Sequence, residues 1–147
     1  MFSRIDFVKG YHQVPMQPED IQKMVIIMPF GLFEYLFMSF WLINTTQTFQ
    51  RLMDCLIGHF TFLVTYLDDH LIVSRTLEEH MDHLSQFFMV LQENGLTINP
   101  TICSFVVMSV VFLGHMYSED RLVPLPRYVA ATIQSFPPLQ AIKELSA

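Results

Sequence analysis

The spacing of apolar and polar side chains changes period several times along the chain, and each change predicts an element. Residues 2–8, FSRIDFV, read as a short strand with Asp6 inside it, and Gly10 breaks it. Pro15 and Pro18 keep the following stretch out of a helix. Residues 24–28 and 32–38 read as a hairpin around Pro29-Phe30-Gly31. In residues 44–57, Phe49, Leu52, Met53 and Leu56 form a helical stripe; Asn44 with Gln47 is a capping-box pattern and Gly58 a stop. Residues 60–67 and 70–74 read as strands on either side of Asp68-Asp69. Thr76 and Glu79 make a second capping box, Leu77, Met81, Leu84, Phe88 and Leu91 follow at helical spacing, and Gly95 closes that helix. Residues 102–107 and 110–117 read as strands again. Beyond Glu119 the prolines at 124, 126, 137 and 138 punctuate the chain, with one short helix expected over 127–134. Strands and hairpins alternating with two helices suggest an α+β domain, an antiparallel sheet with both helices packed on it.

Residues 24–43 are apolar enough to raise a membrane span, but Pro29-Phe30-Gly31 breaks them, Glu34 would sit at the bilayer centre, and the flanks lack a Lys/Arg cluster. The hairpin reading is preferred, and no membrane partner is expected. At 147 residues the chain is one domain's worth, and 52% hydrophobic against 15% charged residues excludes a disordered chain. A net charge of −6 argues against a self-sufficient nucleic-acid binder, since phosphate contacts need cations. Cys55 and Cys103 are too few for a disulfide scaffold. They suit a reducing, intracellular setting such as the cytoplasm, and read as core residues.

Tyr66-Leu67-Asp68-Asp69 is the main chemical signal. Like charges held close raise each other's pKa unless a cation neutralises them, and carboxylate oxygens are the ligands that Mg²⁺ prefers. Asp6 lies in another strand that could pair alongside, and three acids on neighbouring strands would suit a two-metal phosphoryl-transfer site. The plainer alternative is that Asp-Asp simply makes a good turn. Glu79-His80-x-x-His83 has metal-like residue types but no completing ligand, and reads as a solvated helix face.

The ordered segments FSRIDFVKGYHQVPMQPEDIQK, PFGLFEYLFM, NTTQTFQRLMD, TYLDDHLIVS, EEHMDHL, ENGLTINP and VFLGHMYSEDRL resemble the reverse transcriptase of Ty3/gypsy-type LTR retroelements, from Phe2 to about Leu145. The resemblance implies a polymerase palm with part of the fingers over residues 1–118, and a connection with the start of a thumb over 119–147. It implies RNA-directed DNA polymerase activity with two Mg²⁺ ions (Mn²⁺ as a substitute), a primed RNA or DNA template and dNTPs. Asp6, Asp68 and Asp69 then correspond to the catalytic, metal-binding acids. Tyr11 matches the steric gate, and Gln47 a position at the incoming nucleotide. Tyr66 and Gln50 match primer or template positions, and Phe112-Leu113-Gly114-His115 the primer grip.

Departures from the family pattern are also legible. Trp41 stands where a glycine approaches the nucleotide and is expected to crowd the site or push the loop aside. Ile102 replaces a lysine expected to protonate the leaving pyrophosphate. His70 replaces a usual apolar residue. The basic fingers, most of the thumb and an RNase H region of a longer polyprotein are not in the sequence, and the isolated chain is not expected to polymerise. Several replacements (Thr to Met, Ala to Val, Pro to Ser) follow from single C-to-T transitions. They suggest the alternative to an active polymerase, a decayed or domesticated non-catalytic retroelement-derived protein.

Overall fold

The computed structural model describes residues 1–126. The helix expected over 127–134 and the start of the thumb lie outside them. The chain divides into two units, Met1–Met108 and Ser109–Ala147.

The first unit is built on a four-stranded antiparallel sheet in the order β4-β5-β1-β6, from β1 (Phe2–Asp6), β4 (Leu63–Tyr66), β5 (Asp69–Val73) and β6 (Ser104–Val107). Side chains alternate faces along a strand, and β1 shows the consequence. Ser3 and Ile5 are fully buried, whereas Arg4 and Asp6 are half-buried on the other side. The inward face meets α2 (Thr45–Ile57) and α3 (Leu77–Glu93). Phe49, Met53 and Ile57 of α2 and Leu84, Phe87 and Leu91 of α3 close the core with Ile5, Phe7 and Ile72. Burial of side chains of this size is worth about 1.5–3 kcal/mol each.

The α3 stripe is rotated from its expected position. Leu77 and Met81 are exposed, and His80 and Phe87 are fully buried. His80 occupies a core position because Ser3 and Ser74 hydrogen-bond with both of its ring nitrogens. Thr76 caps α3 as predicted, accepting from the Glu79 N–H. Asn44, by contrast, makes no side-chain cap for α2. Gly95 ends α3 in the left-handed region, at φ 67°. Cys55, expected in the core, is exposed, while Cys103 is half-buried.

The remaining elements of this unit are a 3-10 turn at Gly10–Gln13, the short helix α1 (Pro18–Ile21) and the hairpin β2 (Val25–Met28) and β3 (Gly31–Glu34). Pro18 does not exclude a helix here: at the first turn its missing N–H costs nothing. The segment raised as a membrane span contains this hairpin, and no helix among the described residues is long and apolar enough to cross a membrane.

The second unit carries a three-stranded antiparallel sheet of β7 (Ser109–Phe112), β8 (His115–Ser118) and β9 (Leu122–Pro124). The expected single strand over 110–117 is a hairpin instead. Leu113 and Gly114 both take positive φ, 46° and 78°, the geometry of a two-residue turn between antiparallel strands.

A carboxylate site at the palm hairpin

Asp6 ends β1 and Asp69 begins β5, and the two are register partners. Opposed residues of an antiparallel pair put their side chains on the same face, here the one away from the helices. Asp68 occupies the second position of the two-residue turn Leu67-Asp68 that joins β4 to β5, and Leu67 takes φ 55°. The turn is held from below. Gln50 of α2 accepts the Leu67 N–H through Oε1 at 2.8 Å, and its Nε2 donates to Asp54 at 2.9 Å. The Asp6 backbone is held as firmly: its carbonyl accepts the Asn99 N–H at 2.8 Å and its N–H donates to Cys103 Sγ at 3.3 Å.

The electrostatics follow from this crowding. Burial raises the Asp6 carboxyl above its ordinary range, and the charges of Asp68 and Asp69 raise it further; Arg4 opposes them. Asp69 is raised by burial and then by Asp68, again against Arg4. Arg4 was not singled out from the sequence, although two residues before Asp6 on one strand it shares that face. It also donates to the Ile102 carbonyl at 3.0 Å.

Gly10 is buried within this cluster. A Cβ there would meet Phe49 Cζ at 3.0 Å, Asp68 Cβ at 3.3 Å and Phe7 Cβ at 3.4 Å, so the absent side chain is what lets the hairpin approach. Read from the sequence as a strand breaker, Gly10 is a packing residue. Tyr11 follows, edge-on to Phe49 with ring centroids 5.0 Å apart. Burial and the Asp68 charge raise its phenol pKa, and a hydrogen bond with Thr46 lowers it.

The other predicted positions divide. Gln47, Gln50 and Tyr66 line one groove of about 520 Å³ with Thr46, Arg51 and Thr65. Gln47 and Tyr66 are exposed, whereas the side-chain oxygen of Gln50 is engaged by the hairpin. Phe112, Leu113, Gly114 and His115 form the β7–β8 turn of the second unit, with Phe112 buried and His115 exposed. Trp41 is exposed and stacks on Phe40 at 4.1 Å, and its backbone is not left-handed, so the loop tolerates a side chain there. His70 points to the helix face, fully buried beside Phe7 and Phe87. Its Nε2 has no hydrogen-bond partner, and burial lowers its pKa to about 4.

Hard carboxylate oxygens are the right donors for Mg²⁺, which takes one or two from protein. Among the described residues, however, no three His, Cys, Asp or Glu side chains close into a set that could hold a metal ion. Asp6 and Asp69 share a face and both feel the Asp68 charge, without closing into a three-ligand set among the described residues.

An antiparallel sheet with two helices behind it and paired acids at a hairpin in front defines a polymerase palm. The family model for reverse transcriptase (RNA-dependent DNA polymerase) matches residues 1–117, and the chain belongs to that family. It is 35% identical over 148 residues to the retrovirus-related Pol polyprotein from transposon 297 of Drosophila melanogaster, covering 99% of this chain and 14% of that protein. It is 35% identical to polyprotein P3 of Commelina yellow mottle virus, covering 88% of this chain and 7% of that one. The Tf2-3 transposon polyprotein of Schizosaccharomyces pombe is 29% identical over 136 residues, covering 91% of this chain and 10% of that polyprotein. The chain therefore spans about one seventh or less of these relatives. In structure it resembles the foamy viral protease-reverse transcriptase dRH in complex with ds DNA, with a TM-score of 0.82 at 19% identity over 98% of this chain and 25% of that one.

Proposed function

We propose that the chain is a retroelement-derived reverse-transcriptase palm that keeps the family's acidic residues but does not catalyse nucleotidyl transfer by itself. The observation that supports this reading is that Asp6, Asp68 and Asp69 lie at the palm hairpin without closing into a three-ligand metal set. The charge balance agrees with it: Arg4 opposes the field of three carboxylates. Electrostatic stabilisation of a transferring phosphoryl group needs positive charge around it, and the chain as a whole carries −6.

The second reading is template-directed DNA synthesis on a primed RNA or DNA template, with this chain as the palm of a longer polyprotein. What favours it is the register pairing of Asp6 with Asp69 and the shared field of the three acids. On that reading the acids would hold divalent ions, which supply Lewis-acid activation of the primer hydroxyl and charge neutralisation on the triphosphate. Tyr11 would act as the steric gate against a 2′-hydroxyl and Gln47 would lie by the incoming nucleotide. Tyr66, Gln50 and the Phe112–His115 turn would hold primer and template, and residues 119–147 would lead into a thumb.

Primer extension separates the two. The 147-residue chain is given a primed RNA or DNA template, dNTPs and Mg²⁺ or Mn²⁺, beside Asp68→Asn. The first reading expects the two proteins to be indistinguishable. Extension by the wild-type chain that Asp68→Asn abolishes would overturn it in favour of the second.

A further inference from the structure

Behind the sheet, away from the carboxylates, four side chains form a hydrogen-bonded chain that neither reading uses. Ser3 Oγ of β1 lies 2.7 Å from His80 Nε2 of α3. His80 Nδ1 lies 2.8 Å from Ser74 Oγ, just after β5, and Ser74 Oγ lies 2.8 Å from His83 Nδ1. Ser3 and His80 are fully buried and Ser74 nearly so. Ser3 Oγ also accepts the Val106 N–H at 3.0 Å. That contact holds a bulge in β6, where the pairing with β1 slips by one residue and Val106 takes φ 53°. A β-branched residue in that region needs an outside hold.

Only one direction of donation uses every hydrogen. Ser3 already accepts from Val106, so its hydroxyl donates to His80 Nε2. His80 then donates from Nδ1 to Ser74, and Ser74 donates to His83 Nδ1. In the reverse direction Ser3 would receive two donors and its own hydrogen would have no acceptor in the chain, a cost a buried hydroxyl pays in full. Protonating His80 imposes that reversed state on Ser3. The His80 imidazole must therefore be neutral for the chain to be complete.

We propose that Ser3–His80–Ser74–His83 is an acid-sensitive latch that fastens α3 to the outer ends of β1 and β5, and that a proton on the His80 imidazole releases it. The closed latch penalises a proton on His80. Burial disfavours a charged His80 most, and the Met1 ammonium, which donates to the Ser74 carbonyl at 2.8 Å, and His83 add to it. On α3 itself, the Glu79 carboxylate accepts the Arg75 N–H and feels the charges of His83 and Arg75. Phe62 stacks on His83 at 3.8 Å and closes that end. Release loosens the far ends of the two strands that carry Asp6 and Asp69, so the latch acts on whichever function the palm face has.

The test is urea unfolding of the 147-residue chain and of His80→Gln, which cannot gain a proton, from about pH 7.5 to about pH 5. The folded state excludes a proton that the unfolded chain binds, so wild-type stability is present at neutral pH and lost as pH falls. The wild-type unfolding constant should rise relative to that of His80→Gln, by at most about tenfold per pH unit for one proton. Parallel curves would overturn the latch. Should His80→Gln not fold, hydrogen exchange on the wild-type chain decides. The Val106 amide should lose more protection on acidification than the Phe49 amide, after correction for intrinsic rates, and equal losses would overturn the proposal.

Discussion

Asp6 and Asp69 stand opposite each other across the β1–β5 pair, so their half-buried carboxylates share one face of the sheet. Burial and neighbouring acid charge raise both pKa values. A carboxyl raised in the folded state stabilises the fold while protonated, and that contribution is lost as pH rises through the folded pKa. Neutral pH therefore finds the pair destabilising. Asp69→Asn should raise the urea midpoint at pH 7, a gain of a few tenths of a kcal/mol in unfolding free energy after solvent screening, and the gain should vanish in acid, where the wild type is protonated. An unchanged or lowered midpoint at pH 7 contradicts the assigned field.

His70 has the opposite sign. Its folded pKa of about 4 lies below the ordinary 6.5, so its stabilising contribution is complete above the ordinary value and is lost as pH falls towards the folded one. That window holds a loss of up to about 3 kcal/mol. His70→Leu should remove this slope and also the orphaned Nε2, giving a more stable chain at pH 5. Thermal denaturation of the two proteins at pH 7 and pH 5 checks it.

Gly10 was legible as a break in the pattern, but its true constraint lies in three residues distant in sequence. Gly10→Ala should cost about 1–3 kcal/mol in urea unfolding, the scale for overpacking, because Phe49 and Asp68 must give way.

Gln50 supports the hairpin through a single hydrogen bond to the Leu67 N–H. Gln50→Met keeps the length and removes the acceptor. It should cost about 1 kcal/mol and speed exchange of the Leu67 amide while leaving amides of β1 unaffected. Unchanged exchange at Leu67 would show that the turn holds itself.

Gly95 isolates backbone strain. Nothing lies within 4 Å of a Cβ placed there, yet φ is 67°. Gly95→Ala should cost about 1 kcal/mol, and Gly95→Asn less, since Asn tolerates the left-handed region. Equal stability for all three proteins contradicts this account of the α3 terminus.

Much of the frame is visible in the residue pattern because the periods are local properties. The strand around Asp6, both helices, and the hairpins at Pro29 and at Asp68 are of this kind. So is the pairing of Asp6 with the Asp68-Asp69 hairpin, once the family resemblance places them together. What escaped the pattern depends on long-range partners. His80 looks like a solvated helix residue until Ser3 arrives from β1 and Ser74 from just beyond β5. Asn44 has the residue type of a cap without the geometry, and the 110–117 segment turns at Leu113-Gly114 where its hydrophobicity runs on. Arg4 was in plain sight, and only the two-residue spacing to Asp6 marked it.

On the proposed reading, Asp6 and Asp69 share a face with Asp68 beside them and do not form a two-ion site. Electron paramagnetic resonance can count the Mn²⁺ ions bound to the 147-residue chain and to Asp69→Asn. No pair of spin-coupled ions should be seen, and at most a single weakly held ion that Asp69→Asn removes. Two coupled Mn²⁺ ions per chain, lost in Asp69→Asn, would contradict that reading and return these acids to catalysis.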